Sequence, residues 1–147
     1  MIAVVQRVTS SSVVVEGERV GSIGLGYTIL LGVLKGDSEE DIDKSLQKIL
    51  HLRIFADEAG KMNRSLLDVG GEMLIISQFT LGASIKKGRR PSFDKAAEPS
   101  QAEALYEQFI AEAKKHVNVQ SGRFGAHMEV EIHNDGPVTI IVDSAEL

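Results

Sequence analysis

Apolar and polar positions change their period several times along the chain. Residues 2–9 and 12–16 are rich in β-branched side chains and read as two strands, the second ended by Gly17. Residues 20–23 form a short third candidate. Residues 27–34 are nearly all apolar, as expected of a strand buried on both faces. The period then lengthens. Asp37 or Ser38 can cap a helix, and Glu39, Glu40 and Asp41 favour its positive end. Ile42, Leu46, Ile49 and Leu50 fall on one face of that helix. Residues 72–81 read as a strand running into a polar segment. A second helix is expected from Pro99-Ser100, with Leu105, Phe109, Ile110 and Ala113 along one side and Lys114, Lys115 and His116 at its negative end. Two final strands, 129–133 and 138–142, are joined across Asn134-Asp135-Gly136-Pro137, which has the composition of a turn. Runs of strands with two main helices inserted predict an α+β fold with a curled, barrel-like, mixed or antiparallel sheet.

Length and composition narrow the class. The 147 residues suit one domain, spanning 1–147. There is no cysteine, which removes disulfides and thiolate chemistry. The N-terminal apolar run is too brief for a signal peptide, and the apolar stretch at 27–34 is far short of the ~20 residues a membrane helix needs. A cytoplasmic protein without membrane attachment is expected. The net charge of −5 argues against a broad nucleic-acid field. Yet Lys86, Lys87, Arg89, Arg90 and Lys95 cluster within residues 84–95 against one acid, Asp94. Such a loop can hold a phosphate or two on an acidic body.

The chemistry is less legible. No Gly-x-Ser-x-Gly elbow, paired-carboxylate motif or phosphate loop occurs. Thr80 follows a strand and would be a nucleophile only with a base beside it. His51, His116, His127 and His133 form no triad-like pattern. His127, Glu129, Glu131 and His133 alternate with apolar residues, which suits either a hard-ligand cluster or, more simply, a solvated strand face. The solvated face is the expectation, with no metal and no cofactor.

Two segments stand apart from these patterns: Ser77-Gln78-Phe79-Thr80-Leu81 and Asn134-Asp135-Gly136-Pro137-Val138-Thr139. Together they resemble the two signature motifs of the D-aminoacyl-tRNA deacylase family. Val5-Gln6-Arg7-Val8, Gly88-Arg89-Arg90-Pro91-Ser92-Phe93, and Gly122-Arg123-Phe124 followed by Met128 match as well. The resemblance spans residues 1 to about 142.

It implies a hydrolase that removes D-amino acids, and achiral glycine, from tRNA. It implies a homodimer in which a cis Gly136-Pro137 bond enters the partner's active site and excludes L side chains. Backbone N–H groups around Phe79 and Thr80 would stabilise an oxyanion, with Ser77 and Gln78 shaping the site. The terminal 2′-hydroxyl of the tRNA would assist the attack. Arg7 would support the site, Phe124 and Met128 would face the adenosine, and Lys86 and Lys87 would hold tRNA phosphate. Two rival readings stay open: a Thr80-nucleophile esterase acting on D-amino-acid esters, and a non-catalytic tRNA-binding module.

Overall fold

A computed structural model describes residues 1–147. A long hairpin organises it. Strand β1 (Ile2–Val15) turns at Glu16-Gly17 into β2 (Glu18–Ile23), and β3 (Gly26–Gly32) continues along the same edge of β1. Helix α1 (Glu39–His51) crosses over to β6 (Glu72–Ser77), which lies parallel to β3. Between them sit a two-stranded ribbon, β4 (Phe55–Ala56) with β5 (Met62–Arg64), and the one-turn helix α2 (Leu66–Val69). Helix α3 (Pro99–Ala113) crosses to β7 (Val119–Ser121), parallel to β6. Strand β8 (Glu129–Asp143) runs antiparallel along the other edge of β1. The sheet curls until β2 approaches β7. A side-chain carbon on Gly21 would stand 3.0 Å from the Ser121 carbonyl oxygen, a tight contact that glycine relieves.

The curl creates two apolar layers, which explains the unbroken apolar runs. On the outer face Tyr27, Ile29, Leu31, Met73 and Ile75 meet Ile42, Leu46 and Ile49 of α1 and Phe109 and Ile110 of α3. On the inner face Leu74 and Ile76 meet Val8, Val13 and Ile23. β6 is therefore buried on both sides, as a parallel strand under crossover helices must be.

The α+β architecture and both main helices agree with the sequence reading. The short strands β4, β5 and β7 have no counterpart in the sequence reading, and the expected strands differ in three places. β1 is one strand and not two, because β3 and β2 pair one edge before and after Thr9-Ser10 while β8 pairs the other edge on both sides of Thr9, and Ser11 Oγ donates to the Glu131 carbonyl at 2.7 Å. β6 stops at Ser77, and Phe79–Gly82 forms a 3₁₀ turn. Asn134–Pro137 is not a hairpin turn. The chain keeps its direction, and 129–143 is one strand with a bulge. No helix is long and apolar enough to cross a membrane.

Asp41 ties α1 to the chain ends. Its carboxylate accepts from the Ser38 N–H at 2.8 Å and from Ser144 Oγ at 2.7 Å, while the Met1 ammonium donates to Ser144 Oγ at 2.9 Å and Asp37 at 2.8 Å. The Ser144 hydroxyl, followed by Ser38 and the Met1 ammonium, holds Asp41 below its ordinary 3.8, against desolvation. The sign follows. A carboxylate depressed in the folded state adds stability that is complete above 3.8 and is lost as pH falls through its lower folded value. Urea unfolding of Asp41→Asn is expected to show lower stability at pH 7 and a flatter acid limb. An unchanged acid limb would remove Asp41 from this role.

Candidate active site

Two surfaces collect the residues singled out by sequence, and they are distinct within one chain. The first surrounds Phe79. At the end of β6 the chain leaves the sheet and tightens into the 3₁₀ turn, which throws Phe79 outward, 59% exposed. The exposed ring packs edge-on against Phe93 at 5.1 Å. Beside it lies a mixed polar and apolar cleft of about 240 Å³ lined by residues that include Ser77, Gln78, Phe79, His127 and Met128. On the other side is a more apolar cleft of about 270 Å³ lined by Ser77, Phe79, Pro99, Ala102 and Phe124 among others. Phe124 is steadied by Tyr106 at 5.8 Å, and the Tyr106 hydroxyl donates to the Ile75 carbonyl at 2.8 Å.

Gln78 Nε2 donates to Thr80 Oγ1 at 2.6 Å, so the Thr80 hydroxyl is held by an amide and not by a base. The Gln78 N–H is used by Leu31 and the Leu81 N–H by Gln78. The Phe79 and Thr80 N–H groups stand at the start of the 3₁₀ turn, where no intrahelical acceptor exists.

The second surface is the bulge of β8. Pairing with β1 skips from Thr139 opposite Gln6 to Asn134 opposite Val8, so residues 135–138 stand out against Arg7. Arg7 anchors them. Its Nε donates to the Asp135 carbonyl at 3.3 Å and lies 3.2 Å from the Asp135 carboxylate, while Nη1 donates to the Ile54 carbonyl at 2.6 Å. The Asn134 side-chain amide donates to the carbonyls of Arg7 at 3.0 Å and Val138 at 3.1 Å. Gly136 and Pro137 project into solvent, joined by a cis peptide bond. Neither cleft beside Phe79 is lined by Gly136 or Pro137.

Lys86 and Lys87 line a shallow polar hollow of about 350 Å³ with Ser84, Ser92, Asp94 and Lys95. Two backbone hydrogen bonds between Ser84 and Ser92 close this loop. Phe93 joins its end to Phe79.

The histidine strand face is corrected in part. β8 begins at Glu129, so His127 lies outside the alternation and lines the cleft instead. His133 Nε2 sits 2.7 Å from Glu131, and its Nδ1 sits 3.1 Å from Ser10 Oγ, on an exposed face. Sequence reasoning missed Ala96, Ala97, Ala102 and Gly125 as cleft walls and the Ile54 carbonyl as an Arg7 acceptor. Small side chains and backbone oxygens carry no compositional signal.

Comparison with known proteins places the chain. A family model described as D-Tyr-tRNA(Tyr) deacylase matches residues 4–143. A protein of Sulfurihydrogenibium sp. named D-aminoacyl-tRNA deacylase is 63% identical over 147 residues, and one of the same name from Persephonella marina is 60% identical, each match covering 100% of both chains. A solved structure named c-Myc DNA Unwinding Element Binding Protein superposes with a TM-score of 0.92 at 44% identity, covering 97% of this chain and 98% of its own. A probable eukaryotic D-amino acid tRNA deacylase shares the fold, with a TM-score of 0.82 at 20% identity over 96% of this chain and 97% of its own. With its length matched end to end, and with the two surfaces built from the segments that first suggested the likeness, the chain belongs to the D-Tyr-tRNA(Tyr) deacylase family.

Proposed function

We propose that this chain, acting as one domain, hydrolyses the ester of D-aminoacyl-tRNA in the cytoplasm, releasing free tRNA and the D-amino acid. Beyond the family match, one observation supports the mechanism. The clefts at Phe79 and the projecting Gly136-Pro137 belong to different surfaces of one chain. A two-fold dimer joins them, each protrusion entering the partner's cleft. There the glycine backbone can approach the substrate's α-carbon closely, because no side chain intervenes. An L side chain would meet this wall and a D side chain would point away. Glycyl-tRNA, lacking a side chain, passes the filter and is also hydrolysed.

Water attacks the ester carbonyl. The developing oxyanion is stabilised by the Phe79 and Thr80 N–H groups, with Ser77 and Gln78 shaping the pocket. The terminal 2′-hydroxyl assists the proton transfer. Phe124 and Met128 form walls for the adenosine, Arg7 holds the selecting bulge, and Lys86 and Lys87 bind tRNA phosphate.

The test is deacylation of matched D- and L-tyrosyl-tRNA by the purified protein. Rapid release of D-tyrosine with the L-ester left intact is expected. Binding without turnover would favour a tRNA-binding module instead. Thr80→Ala is expected to keep activity within about tenfold, since Thr80 is not the attacking group. A loss near the ~10⁶-fold seen when a true nucleophile is removed would restore the Thr80 esterase reading.

A further inference from the structure

The charges of α1 are segregated. Glu39, Glu40, Asp41 and Asp43 fill its first half, and Lys44, Lys48 and His51 its second. Ile42, Leu46, Ile49 and Leu50 are buried on one face. Lys44, Gln47, Lys48 and His51 fall at i, i+3, i+4 and i+7, on the opposite face. With Leu52 and Arg53 they line an open hollow of about 400 Å³ in which every ionisable group is basic. Lys44 is partly engaged by Glu40 at 2.8 Å. Lys48 makes no ion pair, and Arg53 donates only to the Asn63 side chain at 3.2 Å. The Phe79 clefts do not include these residues.

The position of this hollow sets its use. Arg53 precedes Ile54, whose carbonyl accepts from Arg7 at 2.6 Å, and Arg7 also grips Asp135 beside Gly136. The basic hollow thus sits at the root of the protrusion, on the subunit that lends it. In the dimer proposed above, the hollow and the protrusion therefore belong to the same subunit.

We infer that Lys48 and Arg53, with Lys44, form a phosphodiester-binding platform that grips, in trans, the RNA strand leaving the partner's active site. The inference rests on the functional reading above. A row about 10 Å long, from the helical rise, suits consecutive phosphates better than one small anion. Cations near a helix C-terminus are stabilised by its negative end, so the platform can be cationic without weakening α1. The loop carrying Lys86 and Lys87 stands on the Phe79 side of the same cleft. Each bound RNA would then be held by one basic patch from each subunit.

The experiment compares D-tyrosyl-tRNA with 3′-O-(D-tyrosyl)adenosine, which lacks phosphates. Lys48→Ala with Arg53→Ala should raise KM for the tRNA about tenfold at 0.1 M salt and lower the slope of log KM against log salt by about two units, one per lost phosphate contact. Turnover of the adenosine ester and kcat should be unchanged. Lys48→Arg with Arg53→Lys should behave as wild type. Unaltered KM and slope in the double alanine variant, with active wild type, would overturn the platform alone. If wild type hydrolysed neither substrate, the functional reading would fall, and binding of uncharged tRNA to the variant would still decide the platform.

Mixed dimers test the trans arrangement. With Gly136→Ala on one subunit, only the cleft of that subunit stays active, since its selecting segment comes from the other. The platform substitution should raise KM when placed on the subunit with intact Gly136. A rise seen only with the substitution on the Gly136→Ala subunit would place the platform in cis and refute sharing.

Discussion

Gly136→Ala is expected to abolish hydrolysis of both D- and L-tyrosyl-tRNA while leaving the protein folded. The backbone at Gly136 has φ +119°, a region L side chains rarely adopt. An added Cβ would lie 2.9 Å from Arg7 Nη2 and 2.9 Å from Val138 Cγ2. Relief requires Arg7 to move, and that guanidinium is the link between Asp135, Ile54 and the bulge. The segment would then shift while carrying a new methyl toward the substrate's α-carbon. A displacement of about 1 Å in a positioning group costs on the order of 100-fold in rate, and a blocked approach costs more. The residue is exposed and outside both apolar cores, so thermal unfolding should remain cooperative. Sedimentation of the variant should match wild type, both as the dimer proposed above. Wild-type activity in this variant would detach the segment from the site, and a stable, fully active wild-type monomer would do the same.

A tRNA ending in 2′-deoxyadenosine should bind normally and be hydrolysed about 10²–10⁴-fold more slowly, the usual contribution of a positioned proton-transfer group. The cleft beside Phe79 supplies little to replace it. The Thr80 hydroxyl is held by the Gln78 amide, and His127 is the ionisable side chain among the lining residues. Undiminished turnover of the deoxy substrate would move the proton chemistry to the protein. His127→Asn would then be the variant to lose activity. A rise in KM with unchanged kcat would show that the hydroxyl serves binding alone.

Local features of the sequence determined the helices and the buried strands. For α1, the acidic first turn after Ser38 and the Ile42–Leu46–Ile49–Leu50 stripe are short-range signals, and the structure buries those four side chains. The apolar run at β3 called for burial on both faces, which the curled sheet and its crossover helices provide, and the structure extends the same burial to Met73–Ile76 of β6. The two signature segments were legible through their resemblance to family motifs, since Asn134–Pro137 read by itself has the composition of an ordinary turn.

Only tertiary structure decided what those segments do to the chain. Asn-Asp-Gly-Pro has turn composition whether it reverses the chain or bulges from it. The choice was made by β1, whose backbone pairs with β8 on both sides of the gap and whose Arg7 fills it. The same strand β8, with β3 and β2 meeting on the other edge, carried β1 through Thr9–Ser12, where local propensity alone favours a break. The three-residue β7 is too short to show a period, yet its pairing with β6 brings it against Gly21 and nearly closes the barrel. The separation of Gly136 from Phe79 belongs to this level too. It follows from which sheet edge each element occupies, a long-range choice made by strand pairing and apolar burial.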